Sequence, residues 1–194
     1  MEIAVIGGGA AGMMAALTAR KCGVDVTIYE KNDRVGKKLL MTGNGKCNFT
    51  NLDFSCAYFR SDSCQDKDKQ VYFDSFGIGD TLRFFEELGL LVKNRNGYLY
   101  PSCEQASAVL DLLRYACDRA GIVTLVQTEV KKLYKKDDKF IIEAKRTDGG
   151  HFGTVREEYT SDRVILACGS KAGPKGISTG SGYLFAGSFG HHVI

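Results

Sequence analysis

The chain has 194 residues, 44% hydrophobic and 25% charged, the proportions of a globular domain with one filled core and room for a small appendage. Lysine and arginine outnumber aspartate and glutamate by 26 to 23, a net charge of +3 that gives no ground for a nucleic-acid partner. Glycine, 23 of 194 or about 12% against roughly 7% in ordinary usage, is neither periodic nor accompanied by proline. Collagen-like and low-complexity readings therefore fail, and many tight backbone turns remain.

Glu2 to Ile6 is a short apolar run stopped by three glycines, the pattern of a buried parallel strand. Ala10 to Lys21, small and apolar, predicts a helix packed on a sheet, with Gly23 as its stop. Asp25 to Tyr29 is β-branched and ends at Glu30, so strand, glycine turn, helix and strand predict a right-handed parallel crossover. The uncharged stretch from Ile3 to Ala19 follows Glu2, holds four glycines and lacks a basic leader. It is too short for a membrane helix, so neither a signal sequence nor a membrane partner is expected.

Asp33 to Asn51 is polar, with Gly36, Gly43 and Gly45, and reads as a long ordered loop. Residues 60–70, charged and serine-rich, read as a mobile segment. Asp80 can cap a helix through Leu88 that Gly89 ends. Leu90 to Val92 and Tyr98 to Tyr100 flank Asn94-Arg95-Asn96-Gly97 as a β-hairpin. Ser102 and Gln105 have capping-box spacing, and Val109, Leu113, Ala116, Cys117 and Ala120 then make one apolar helical face before Gly121. Ile122 to Val126 predicts a third strand of the parallel sheet.

Val130 to Tyr134, Phe140 to Ala144 and Phe152 to Tyr159 follow, separated by turns at Asp137-Asp138 and Asp148-Gly149-Gly150, as a three-stranded antiparallel meander. Arg163 to Ala167 is another apolar strand ending at Gly169, and Ser178 to Ile194 is glycine-rich and then helix-like. The fold class expected is α/β: a Rossmann-like parallel sheet with an antiparallel three-stranded β-meander crossover. One dinucleotide-binding domain is expected over residues 1–194, with a loop and helical insertion at about 52–105 and the meander at about 129–160.

The seven cysteines, at 22, 47, 56, 64, 103, 117 and 168, are odd in number and show no CxxC pair. They read as reduced thiols of a cytoplasmic protein. The three histidines, with His191 and His192 adjacent, add no metal-ligand spacing, so no metal is expected. Lys131, Lys132, Lys135, Lys136 and Lys139, interrupted by Asp137 and Asp138, read as a solvated strand edge and turn.

Gly7-Gly8-Gly9-Ala10-Ala11-Gly12 fits G-x-G-x-x-G. Gly7 permits the tight turn out of the strand, Gly9 lets bare backbone approach a pyrophosphate, and Gly12 lets helix and strand pack closely. The helix opening near Ala10 and Ala11 offers unpaired N–H groups and a positive dipole end to phosphates. Glu30 lies 18 residues beyond Gly12, where a carboxylate can bind both ribose hydroxyls and disfavours a 2′-phosphate. A mere tight turn with a surface glutamate is the plainer alternative. The fingerprint alone cannot separate FAD from NAD. The long loop after Glu30, the meander and the strand ending in Ala167-Cys168-Gly169 favour FAD, because a simple NAD domain continues with plain βα units.

These residues, with Gly36-Lys37-Lys38-Leu39-Leu40-Met41-Thr42-Gly43-Asn44-Gly45-Lys46-Cys47-Asn48-Phe49-Thr50-Asn51, Tyr100-Pro101, Thr128-Glu129-Val130 and Ser178-Thr179-Gly180-Ser181-Gly182-Tyr183, resemble a family of two-dinucleotide-fold flavoproteins. That group is variously labelled aminoacetone-oxidase-like or BaiN/YhiN-like FAD-dependent oxidoreductases. The resemblance covers the whole chain and implies FAD as cofactor. It implies that Glu30 and Lys31 hold the adenosine ribose, and that Lys37 and Lys38, with Thr42, Gly43, Asn44, Cys47 and Asn48, run beneath the pyrophosphate and flavin. Val130 would meet the adenine edge with its backbone, and Ala167, Cys168 and Gly169 would pass near the cofactor.

Family members are roughly twice this length, with a substrate domain and a returning C-terminal FAD segment, so the expectation is an N-terminal half. The activity implied is hydride transfer between NAD(P)H, as reductant, and a small-molecule substrate through bound flavin. No catalytic acid or base announces itself. Cys47 is either a redox thiol near the flavin or a small packed side chain, and Asn44 and Asn48 read as loop braces. An NAD-dependent dehydrogenase and a non-catalytic nucleotide-binding fragment are the competing readings.

Overall fold

The first apolar run becomes the central strand. In the computed structural model, which describes residues 1–60, 65–147, 153–171 and 179–192, β1 (Glu2–Ile6) runs parallel to β2 (Asp25–Tyr29). The chain divides into two compact units, Met1–Leu39 with Leu113–Val193, and Leu40–Leu112.

In the first unit, the helix α1 (Ala10–Lys21) links β1 to β2 and stops where Gly23 takes φ +78°. Its buried residues are Gly12, Met13, Ala16 and Leu17, of which the small Gly12 and Ala16 allow close packing on a sheet.

The second unit holds a three-stranded antiparallel sheet of β3 (Thr50–Asn51), β4 (Val92–Arg95) and β5 (Tyr98–Pro101), in the order β3-β5-β4. The expected hairpin is present, its tight turn falling at Asn96-Gly97, both with positive φ (51° and 90°), as a primed two-residue turn demands. Two helices accompany it, α2 (Asp66–Ser75) and α3 (Ile78–Glu87). Asp80 does serve α3, from the third helical position: its carboxylate accepts from the Gly77 N–H at 2.9 Å, so the cap falls at Gly77, three residues earlier than expected. The rings of Phe54, Phe59 and Phe73 cluster with centroids 4.6–5.4 Å apart. The mobile segment expected at 60–70 is replaced in part by α2; residues 61–64 lie outside the described residues.

Helix α4 (Ala106–Arg119) carries the expected apolar face, with Val109, Leu113, Ala116 and Cys117 buried. The capping box is corrected: Glu104 sits at φ +54° in a turn closed by its N–H to the Pro101 carbonyl at 2.8 Å, so the helix opens only at Ala106.

Back in the first unit, β6 (Val123–Leu125) pairs with β2, and β10 (Arg163–Leu166) pairs with the other edge of β1. The sheet order is therefore β10-β1-β2-β6, all parallel. Between them β7 (Thr128–Lys136), β8 (Lys139–Thr147) and β9 (Thr154–Ser161) form the meander, with Asp137 at φ +53° in its first turn. The turn expected at Asp148-Gly149-Gly150 and the start of the third strand at Phe152 lie outside the described residues, as do Ser178 and Ile194.

The final helix is α5 (Ser181–Ser188). Ala4, Ile6, Tyr29, Val130, Leu133, Ile142, Ala144 and Phe185 form one core between the parallel sheet, the meander and α5. Tyr29 meets the ring of Tyr159 edge-on at 5.0 Å. No described helix is long and apolar enough to cross a membrane.

Candidate dinucleotide-binding site

The strand order reverses at β1, whose neighbours β2 and β10 lie to either side, and a ligand crevice is expected beyond the carboxyl ends of such strands. A crevice is found there, within the first unit. Its lining includes Ile6, Gly7, Gly9, Glu30, Lys31 and Asn32 from the β1 and β2 ends. Gly36, Lys37 and Lys38, then Thr128, Glu129 and Val130 of β7, continue it. Ala167, Cys168 and Gly169 after β10, with Thr179, Ser181 and Phe185, close it.

The three glycines of the fingerprint are distinguished by what a side chain would strike. Gly7, at φ +111°, has the Ala167 carbonyl against its Cβ direction, so any substitution there is both strained and blocked. A Cβ on Gly12 would collide with the Gly7 carbonyl oxygen, the closest helix–strand approach in the motif. A Cβ on Gly9 would meet nothing within 4 Å. Gly9 thus faces open crevice, and it caps α1 without a side-chain hydrogen bond. Ala10 and Ala11 open the helix, whose first-turn N–H groups have no carbonyl a turn behind them. That is the electrostatic cradle an anion needs.

Glu30 is buried, 7% exposed, and its carboxylate is held at both oxygens. Oε2 accepts from the Gly8 N–H at 2.8 Å, and Oε1 accepts from the Asn32 N–H at 2.8 Å and its Nδ2 at 2.5 Å. Gly8 is the glycine the fingerprint leaves unassigned, yet a Cβ there would press Val35 Cγ1 at 2.6 Å and Glu30 Cβ at 3.2 Å. Its carbonyl also accepts from the Gly36 N–H at 2.8 Å, which ties the following loop down over the glycine turn.

Lys37 pairs with Asp33 at 2.6 Å, and that hydrogen bond holds the Asp33 carboxyl below the usual carboxylate range. Val130 is buried in the core shared by sheet and meander, while its strand begins beside the acid: the Thr128 N–H donates to the Glu30 carbonyl at 2.9 Å. Cys168 donates its thiol to the Ile6 carbonyl at 3.3 Å; burial pushes that thiol up, opposed by a hydrogen bond from Ser181.

The remaining residues expected at the cofactor belong to the second unit. Thr42, Gly43, Asn44, Cys47 and Asn48 form a tight loop in which Gly43, Asn44 and Cys47 all take positive φ (54°, 54° and 56°). The Cys47 N–H donates to the Thr42 carbonyl at 3.0 Å, and burial raises its thiol, against the opposing hydrogen bond of Thr42, which keeps it a weak nucleophile. Asn48 braces the loop, donating through Nδ2 to the Thr50 and Leu99 carbonyls at 3.0 and 2.9 Å.

Sequence reasoning gave no role to Gly8 or Asn32, and Thr128 entered it only within the Thr128-Glu129-Val130 segment. Only for Asn32 was there a local signal, a side-chain amide two residues past the acid. The six described cysteines are free thiols, and no described group of His, Cys, Asp or Glu could hold a metal.

A parallel sheet whose glycine turn, helix start and buried acid converge on one crevice defines a Rossmann-type dinucleotide-binding domain. The model of the HI0933-like protein Rossmann domain matches residues 1–194, and the chain belongs to that family. It is 43% identical over 196 residues to a 3-dehydro-bile acid delta(4,6)-reductase of Clostridium scindens, covering 98% of this chain and 44% of that protein. It is 28% identical over 204 residues to a ribosomal RNA dihydrouridine synthase of Haemophilus influenzae, covering 100% of this chain and 46% of that one. The chain thus spans a little under half the length of these relatives.

Among solved structures, a 3-ketosteroid-delta4-(5alpha)-dehydrogenase from Rhodococcus jostii superposes with a TM-score of 0.66 at 16% identity, over 87% of this chain and 46% of that one. That likeness is one of fold.

Proposed function

We propose that this chain is the FAD-binding part of a flavin-dependent oxidoreductase that moves hydride between NAD(P)H and a small-molecule substrate. The observation that carries the reading is the pairing of an open Gly9 backbone with a buried, hydrogen-bonded Glu30 in one crevice. In this reading the turn from Gly7 to Gly12 takes the pyrophosphate, Glu30 the ribose, Val130 the adenine edge, and Lys31, Lys37 and Lys38 the surrounding negative charge. Ala167, Cys168 and Gly169 form the far wall. When bound, the isoalloxazine ring supplies hydride acceptance and donation. The chain's own residues bind, orient and screen it.

The 43% identical relative is named as a bile-acid reductase, which supports a small molecule that is reduced as the substrate class. An RNA substrate, as named for the 28% identical relative, gains no support from the lysines of this chain. In the densest basic stretch, Lys131, Lys132 and Lys139 are already paired with Glu129, Glu143 and Asp162 at 2.6, 3.4 and 2.5 Å.

Purify the full-length protein and record its visible spectrum before and after incubation with FAD, then assay oxidation of NADH and NADPH. The reading expects a flavin band and flavin-dependent turnover. A protein that stays colourless after reconstitution but binds NADH tightly would be an NAD-dependent dehydrogenase. Nucleotide binding with no turnover would make it a binding module.

A further inference from the structure

The Glu30 carboxylate has fewer free acceptor positions than the motif suggests. A carboxylate offers about four lone-pair sites, two on each oxygen. The Asn32 N–H and Nδ2, at 2.8 and 2.5 Å, fill both on Oε1, whereas among the described residues Oε2 receives only the Gly8 N–H at 2.8 Å. The atom of Asn32 facing Oε1 must be its NH2 group, because an ionised carboxylate accepts only. Asn32 is itself pinned, since its carbonyl accepts from the Gln127 N–H at 2.7 Å and Gln127 sits at φ +52°. The neighbouring bonds from Glu30 N–H to the Leu125 carbonyl, and from Thr128 N–H to the Glu30 carbonyl, both 2.9 Å, lock the same corner.

We infer that Asn32 is a specificity-determining positioning residue: by saturating Oε1 it leaves one acceptor position, on Oε2, so Glu30 takes one ribose hydroxyl of the bound nucleotide and not two. This rests on the dinucleotide reading of the crevice. A nucleotide is then recognised asymmetrically at its ribose, and a group that cannot donate at that single position is refused. The 2′- and 3′-hydroxyls become unequal in affinity although both are chemically alike.

The test is calorimetric titration of the full-length protein, freed of bound nucleotide, with ADP, 2′-deoxy-ADP and 3′-deoxy-ADP. One deoxy analogue is expected to bind about tenfold to a hundredfold more weakly than ADP, the range for losing a hydrogen bond to a charged group, and the other within about twofold. In Asn32→Ala a lone pair opens on Oε1, and both analogues should then weaken by comparable factors. Asn32→Leu fills the side chain's volume without a donor and repeats the test if the alanine variant is unstable. Equal weakening by both analogues in the unmodified protein, or an unchanged asymmetry in both variants, overturns the inference. Absence of ADP binding by the unmodified protein overturns instead the dinucleotide reading on which it stands.

Discussion

At the scale of single residues, the glycine turn separates folding from binding. Gly9→Ala adds a methyl where nothing stands within 4 Å, on a backbone at φ −80° that alanine adopts freely. Its cost to stability should stay near the loss of a good helix-cap residue, about 1 kcal/mol or less, while on the proposed binding mode flavin affinity should fall tenfold or more because the methyl would take the pyrophosphate's place. Gly12→Ala should do the reverse, destabilising by about 3 kcal/mol or more through overpacking against the Gly7 carbonyl. Thermal melts beside flavin titrations of the two variants check both. Cysteine reactivity offers a second residue-scale prediction. Cys47 and Cys168 have thiols raised by burial, and Cys117 is pushed up to about 11 by the same cause, whereas Cys22 and Cys103 are exposed. Brief alkylation at neutral pH, read by peptide mass spectrometry, should mark Cys22 and Cys103 well before the other three.

At the scale of elements, Glu104 is the fastener of the second unit's hairpin. It accepts from Lys93 at 2.6 Å and from Arg95, both on β4, and Lys46 of the signature loop stands 3.5 Å away. Lys93 and Arg95 hold its carboxyl down at about 2, against an ordinary value of 4.5. A depressed folded-state pKa stabilises above the unfolded value, and that stability drains as pH falls from 4.5 towards 2. Glu104→Gln should therefore lower the melting temperature at pH 6, with the gap to the unmodified protein narrowing steadily as pH falls from 4.5 towards 2. A gap that stays constant across this range would show that the carboxylate's charge is irrelevant. Glu104 also marks where local sequence signals gave out. Ser102 and Gln105 have the spacing of a capping box, but a left-handed Glu104 between them delays α4 to Ala106. α2 was illegible for another reason: Asp66 to Ser75 has no apolar stripe, and Val71 and Tyr72 are 63% and 70% exposed. The strands of the parallel sheet were readable because short apolar runs rich in β-branched residues, between glycine turns and polar breaks, leave few alternatives.

At the scale of the molecule, one core unites the first unit. Ile142, fully buried on β8, touches neither crevice nor loop, yet it sits among Ala4, Ile6, Val130 and Phe185. Ile142→Ala should cost about 2–5 kcal/mol, and hydrogen exchange should show the loss shared by β1, β7, β8 and α5. Protection lost in β8 alone would mean that the meander folds separately. The sequence's reach into the site followed the same division. Positions set by backbone sterics, Gly7 and Gly12, could be read locally, whereas the part of Gly8 depends on Val35 and Glu30, which only the folded chain brings near. The order of the parallel sheet carries a temporal consequence. β1 is made well before β10, with which its edge pairs across a separation of 160 residues, as the Glu2–Asp162 bond shows. At a synthesis rate of about 5–20 residues per second, the leading strand waits roughly ten to thirty seconds on the ribosome for that neighbour. The wall that Ala167 raises against Gly7 arrives later still, so a nascent chain can collapse around its first helix long before the crevice beyond the strand ends is complete.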